Sequence, residues 1–196
     1  MRALVVYAHP NPESYTAAVR DVVTAGLEAA GAEMRLIDLY AEGFSPAMAL
    51  PEYAAHFDTT KNRAPVETHA EALLWCDTLI FVYPTWWYGL PAMLKGWLDR
   101  VMLPGVAFHL PEQGDIKPGL THIKRLGVFT SCGASRWLNW YIGQPGRRTL
   151  LRGVGLLCAK RLKTCYAIHY CMDTSTPDTR ARHLARVESR LARFLA

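Results

Sequence analysis

The sequence predicts a doubly wound α/β fold, a parallel sheet with helices on both faces. Three observations carry the prediction. Short buried-strand patterns alternate with helical ones, turn residues separate them, and 51% hydrophobic against 20% charged residues suffices for a full core. At 196 residues the chain matches the usual ~100–200 residues per domain, so residues 1–196 are expected to form a single domain.

Apolar runs rich in Val, Ile, Leu and aromatics mark strands at Leu4–Tyr7, Met34–Asp38, Leu79–Tyr83, Leu126–Thr130 and Thr164–Ile168. Between the first two, Val19, Val22, Val23 and Leu27 recur at helical spacing within Ser14–Ala30, and Gly31 supplies the stop. Further helices are expected at Val66–Trp75, Ala92–Met102, Trp137–Leu151 and Pro177–Leu195, the last with Thr176 as N-cap and Pro177 in its first position. Tyr40–Pro65 holds Gly43, Pro46, Pro51 and Pro65 and reads as a surface excursion with short helical pieces. Right-handed crossovers leave few arrangements, and a flavodoxin-like three-layer sandwich with strand order 2-1-3-4-5 fits best.

Lys and Arg number 22 against 17 Asp and Glu, but the arginines gather at Arg180, Arg182, Arg186, Arg190 and Arg193, so no nucleic-acid partner is expected. With Leu184, Leu191 and Leu195 on the same stretch, the plain reading is an amphipathic helix with a solvated face, which leaves peripheral contact with an acidic surface open. The five cysteines, odd in number and irregular in spacing, suggest reduced thiols in a cytoplasmic protein. The sequence enters Ala3-Leu4-Val5-Val6-Tyr7 without a charged leader or long apolar region, so no export is expected. The longest uncharged run, Thr78 to Leu94, is broken by Pro84, Gly89 and Pro91 and falls short of the ~20 apolar residues of a membrane span.

In an open parallel sheet, ligands bind beyond the carboxyl ends of the strands where the strand order reverses, which here means the loops after strands one, three and four. The first loop runs from His9 to Ser14, Tyr15 and Thr16 at a helix start, where free backbone N–H groups and the positive end of the helix dipole suit a phosphate. Ser14 also reads as a plain N-cap, and His9 as a turn residue. The second loop sets Trp86, Trp87 and Tyr88 in succession after Pro84 and Thr85, a flat wall for a planar ring system; the alternative is aromatics packed beneath a helix. The third, Thr130, Ser131, Cys132 and Gly133, is small and hydroxylic and lets backbone approach a ligand edge. Gly133-Ala134-Ser135-Arg136-Trp137 lacks the last glycine of a nucleophile elbow, and Gly153-Val154-Gly155 lacks the third glycine of a dinucleotide fingerprint. Cys165, His169 and Cys171 have no second cluster to complete a metal site, so none is expected.

Tyr7-Ala8-His9-Pro10-Asn11-Pro12-Glu13-Ser14-Tyr15, Asp38-Leu39-Tyr40 and above all Trp87 through Val101 make the chain resemble the NAD(P)H:quinone oxidoreductase family, from residue 1 to the C-terminal helix. The resemblance implies a cytoplasmic flavin enzyme holding FAD, with FMN as the alternative. NAD(P)H would be the electron donor and a quinone-like small molecule the acceptor, the two using one pocket in turn. It also implies a homodimer with the flavin at the subunit boundary. Carried over by position, His9, Ser14, Tyr15 and Thr16 would hold the flavin phosphate. Pro84, Thr85, Trp86, Trp87 and Tyr88 would line the ring, and Thr130, Ser131, Cys132 and Gly133 would close its other edge. Where better-known animal members have a Tyr and a His that stabilise charge on the flavin, this chain reads Trp137 to Gln144, with Tyr141 as the candidate partner and Gln144 at the histidine's place. Some relatives of this fold instead act as ancillary regulators of membrane transporters, which is the alternative reading.

Overall fold

The computed structural model describes residues 1–111 and 113–196. The chain runs β1 (Arg2–Tyr7), α1 (Tyr15–Ala29), β2 (Glu33–Asp38), α2 (Leu50–Ala54), α3 (Glu67–Trp75), β3 (Thr78–Thr85) and α4 (Ala92–Val101). It continues through β4 (Phe108–His109), β5 (Lys117–Pro118), β6 (Arg125–Cys132), α5 (Arg136–Tyr141), α6 (Pro145–Arg148), β7 (Lys163–His169) and α7 (Pro177–Leu195). The main sheet is parallel with order β2-β1-β3-β6-β7, which is the expected 2-1-3-4-5 order counted within that sheet. All five expected strands are present, each extended by one to three residues.

Strand periodicity sends alternate side chains to opposite faces, and two cores result. Leu4, Val6, Leu79, Phe81 and Val128 meet α3 and α4 through Leu73, Leu94, Trp97 and Val101. Ala3, Val5, Ile80, Val82 and Phe129 meet α1 and α7 through Val23, Leu27, Val187, Leu191 and Phe194. Full burial of each large apolar side chain contributes roughly 1.5–3 kcal/mol, which is why β1 and β3, covered on both faces, read as unbroken apolar runs.

The excursion from Tyr40 to Pro65 carries α2 and is tied to α4 by a buried ion pair. Arg100 Nε donates to Glu52 Oε1 at 2.8 Å and Oε2 at 3.0 Å, while its Nη1 donates to the Ser45 carbonyl at 2.6 Å. Gly96 lies where α4 crosses this segment, and a Cβ there would collide with the Pro46 backbone.

One expected element is corrected. Trp137–Leu151 is not one helix: α5 ends at Tyr141, Gly143 and Gln144 turn through positive φ (90° and 51°), and α6 restarts at Pro145. A π-turn at Thr149–Gly153 and a 3-10 turn at Val154–Leu157 follow. Proline has no N–H to continue α5 and has φ suited to a first helical position, so the break falls where Gly143-Gln144-Pro145 stands. The short β4–β5 ribbon had no strand signal in the sequence, being two residues per strand.

Candidate functional site

The chain leaves β1 to β2 on one side and crosses back to β3 on the other, so a crevice opens beyond the carboxyl ends of β1 and β3. The structure has a cavity of about 790 Å³ there, lined by the first loop through His9, Ser14, Tyr15 and Thr16. The second loop contributes Pro84, Thr85, Trp86, Trp87 and Tyr88, and the third Ser131, Cys132 and Gly133. Thr130 lies behind this lining, buried, with Thr85 Oγ1 and Thr130 Oγ1 3.0 Å apart, so it positions Thr85. Tyr141 is outside the cavity: it is 71% exposed on α5 and stacks on Trp137 at 5.5 Å between ring centroids. Gln144 does not line the cavity either, and its side-chain carbonyl accepts from Arg147 at 2.8 Å.

At the first loop, Ser14 caps α1, its Oγ accepting from the Ala17 amide at 3.1 Å. The Thr16 side chain is buried in the first turn. His9 Nδ1 lies 3.0 Å from the Asn11 amide and 3.1 Å from the Asn11 carbonyl, so it accepts from the first when the ring proton is on Nε2 and donates to the second when it is on Nδ1. Desolvation lowers the His9 pKa, so a neutral ring still supplies one N–H donor. Behind this loop lies a chain of polar groups. His183 Nδ1 is 2.6 Å from the Tyr15 hydroxyl, which also donates to the Arg180 carbonyl at 3.3 Å. All protons in that set are satisfied when Nδ1–H donates to Tyr15 and Tyr15 donates to Arg180. The first turn of α1 is thereby anchored to α7.

The second loop closes a four-residue turn in which the Gly89 amide donates to the Trp86 carbonyl at 3.0 Å. Trp87 and Tyr88 at its centre have φ of 47° and 62°, the left-handed region that such turns normally fill with Asn and Gly. Trp87 is 95% exposed at the rim. Burial, first among its causes, raises the Cys132 thiol pKa, so this sulfur stays protonated and is no activated nucleophile.

Sequence reasoning missed Ala134, Leu138, Met172 and Asp173, which complete the lining. The signal for the last two was available: they follow β7, whose carboxyl end faces the same side as the others. A Cβ on Gly133 would meet the Asp173 carboxylate, the exposed end of a side chain that can swing aside.

The cavity suits a flavin nucleotide on its donor set. Its lining brings together a capped helix start with buried Thr16, the His9 ring, an aromatic turn whose Trp86 lies 6.1 Å from His9 between ring centroids, and a run of small residues. Its volume is within the ~300–1,000 Å³ typical of small-molecule sites.

A family model described as "Flavodoxin-like fold" matches residues 1–191. The chain belongs to the flavodoxin-like family. Within it, the resemblance to NAD(P)H:quinone oxidoreductases is borne out by relatives so named. The chain is 38% identical over 109 residues to the uncharacterized NAD(P)H oxidoreductase YcaK of Escherichia coli, 55% of each protein being covered. It is 31% identical over 152 residues to NAD(P)H dehydrogenase [quinone] 1 of Rattus norvegicus, covering 69% of this chain and 56% of the relative. The matches thus span about half the length of these curated relatives. Among solved structures, the NAD(P)H:quinone oxidoreductase from Methanothermobacter marburgensis superposes with a TM-score of 0.82 at 26% identity, covering 98% of both chains.

Proposed function

We propose that this protein is a flavin-dependent oxidoreductase that takes electrons from NAD(P)H and delivers them to a quinone or similar acceptor. One observation carries the reading: the helix start at Ser14–Thr16 and the aromatic turn at Trp86–Tyr88 open on the same cavity. A flavin nucleotide has those two ends, an anionic phosphate and a planar ring. The names of the relatives from Escherichia coli and Rattus norvegicus support the donor, and the latter the acceptor. When bound, the flavin supplies the redox chemistry, accepting a hydride and releasing two electrons.

The residues of the chain do the rest. His9, Ser14, Thr16 and the free amides of α1 hold the phosphate. Pro84 through Tyr88 bound the ring on one side, with Ser131 to Gly133 on the other. FAD is the proposed cofactor and FMN the alternative. Trp87, exposed at the rim of one chain, is the natural seat for a second copy, and a homodimer would place the flavin at the subunit boundary. Donor and acceptor occupy the cavity in turn, because one aromatic-walled crevice has no room for two planar ligands besides the flavin.

The absorbance spectrum of the purified protein, with identification of the released cofactor, tests the reading. A flavin spectrum, bleached anaerobically by NADH or NADPH before quinone is added, is the expected result. Parallel double-reciprocal plots with a soluble quinone are expected to follow. Absence of any affinity for FAD or FMN would sink the proposal; intersecting plots would remove only the alternating use of the cavity.

A further inference from the structure

A second hollow, about 1060 Å³, runs along the free edge of β7 between α5–α6 on one side and α7 on the other. The redox function has no use for it. β7 is the last strand of the sheet, no strand among the described residues pairs with its outer edge, and Tyr166 and Ile168 line the hollow.

Four guanidinium groups surround the hollow: Arg136 on α5, Arg147 on α6, and Arg186 and Arg190 one turn apart on α7. Among the described residues, no Asp or Glu lines it. Among the described residues, none of the four has a carboxylate within 4.0 Å; every such ion pair of the chain involves other cations. Two are held in place by neutral partners. Arg147 donates to Gln144 and lies 4.9 Å from the Tyr166 ring centroid, and Arg190 donates to the Tyr166 carbonyl. Four like charges around one concavity repel one another, and that repulsion is relieved by an anion in the middle. Guanidinium groups bind phosphate, sulfonate or carboxylate in a paired, planar geometry.

The same wall is aromatic. Trp137 lies against Tyr141 on one face, and Trp140 is 68% exposed beside the arginines. An indole left mostly in water at the mouth of a cationic hollow offers a stacking face to a flat ring. We infer that this hollow binds a planar aromatic small molecule carrying two or more negative charges. Its volume lies just above the ~300–1,000 Å³ small-ligand range, and walls of α5, α6, β7 and α7 around it favour a compact ligand over a polymer. The helix α5 is shared: Leu138 lines the first cavity while Arg136, Trp137 and Trp140 line the second, so the test separates the two sites.

The probe is pyrene-1,3,6,8-tetrasulfonate, a fluorescent planar tetra-anion, titrated by anisotropy into the full-length protein as purified. One probe per chain is expected. Binding should weaken at least tenfold in the Arg147→Gln/Arg186→Gln double variant and severalfold in Trp140→Ala. Trp140→Phe should restore most of the latter loss. Thr16→Ala, in the first cavity, should leave probe affinity unchanged, and inorganic sulfate at equal ionic strength should compete weakly. Urea unfolding of each variant checks that exposed side chains were removed without loss of fold. Equal weakening by Thr16→Ala would place the probe in the first cavity and overturn the assignment. So would insensitivity to the arginine pair, several equivalent probes per chain, or tighter binding of a single-stranded oligonucleotide than of the probe.

Discussion

Trp87 stands almost wholly in solvent at a φ of 47°, and Tyr88 follows at 62°. For an L-residue the left-handed region costs roughly 1–2 kcal/mol, so this turn holds its shape for reasons other than its own stability. Replacing Trp87 with glycine removes the penalty and loses almost no packing. We expect the flavin-free variant to gain about 0.5–1 kcal/mol in urea unfolding, net of glycine's entropy, while its flavin affinity falls. A variant that loses stability, or retains full affinity, would show that the turn is not built for a ligand. A second prediction concerns His183, 3% exposed and pushed down to about 4, first by burial and then by His169, Arg186 and Arg190. Unfolded histidine titrates near ~6.5, so between these values the folded chain binds fewer protons than the unfolded one. The stability from this residue is therefore complete above about 6.5 and is lost as pH falls towards the folded value. Between those two pH values, unfolding free energy should fall more steeply in the parent than in His183→Asn. Equal slopes would refute the linkage.

At the scale of elements, the excursion between β2 and α3 is clamped by α4. Gly96 permits the approach to Pro46, and Arg100 reaches from the same helix to Glu52 and Ser45. Gly96→Ala should therefore destabilise the protein by about 1–3 kcal/mol, despite alanine's better helix propensity, because overpacking against backbone outweighs it. Chemical denaturation measures this, and a stabilised variant would contradict the contact. The elements were legible where their pattern was long. α1 and α7 announced themselves by cap residues and apolar spacing, and Ser14 and Thr176 do cap them. The helix expected over Trp137–Leu151 shows the opposite case: apolar spacing continued through Gly143 and Pro145, and local backbone chemistry broke what periodicity joined.

For the whole molecule, the proposed cofactor should act as a stabiliser by mass action. At a hundredfold excess over Kd a ligand that binds only the folded state adds about 2.7 kcal/mol. For a chain of this size that corresponds to a rise in Tm of roughly 5–10 °C. FMN should raise Tm more than riboflavin at equal concentration, and the difference should vanish in His9→Ala/Thr16→Ala; an undiminished difference would mean the phosphate is bound elsewhere. The sequence by itself determined the strand order, the two apolar faces and the three loops that meet beyond β1, β3 and β6, since periodicity and turn residues are local and crossover handedness is general. It also pointed to His9, Ser14 and the aromatic run, because their chemistry is visible in the residue types. Only the tertiary structure decided that Thr130 stands behind that cavity and that Tyr141 stands outside it. It also gathered four arginines from three helices around the free edge of β7. Those facts depend on where separate elements come to rest, and residues far apart in the chain carry no mutual spacing from which such a meeting is read.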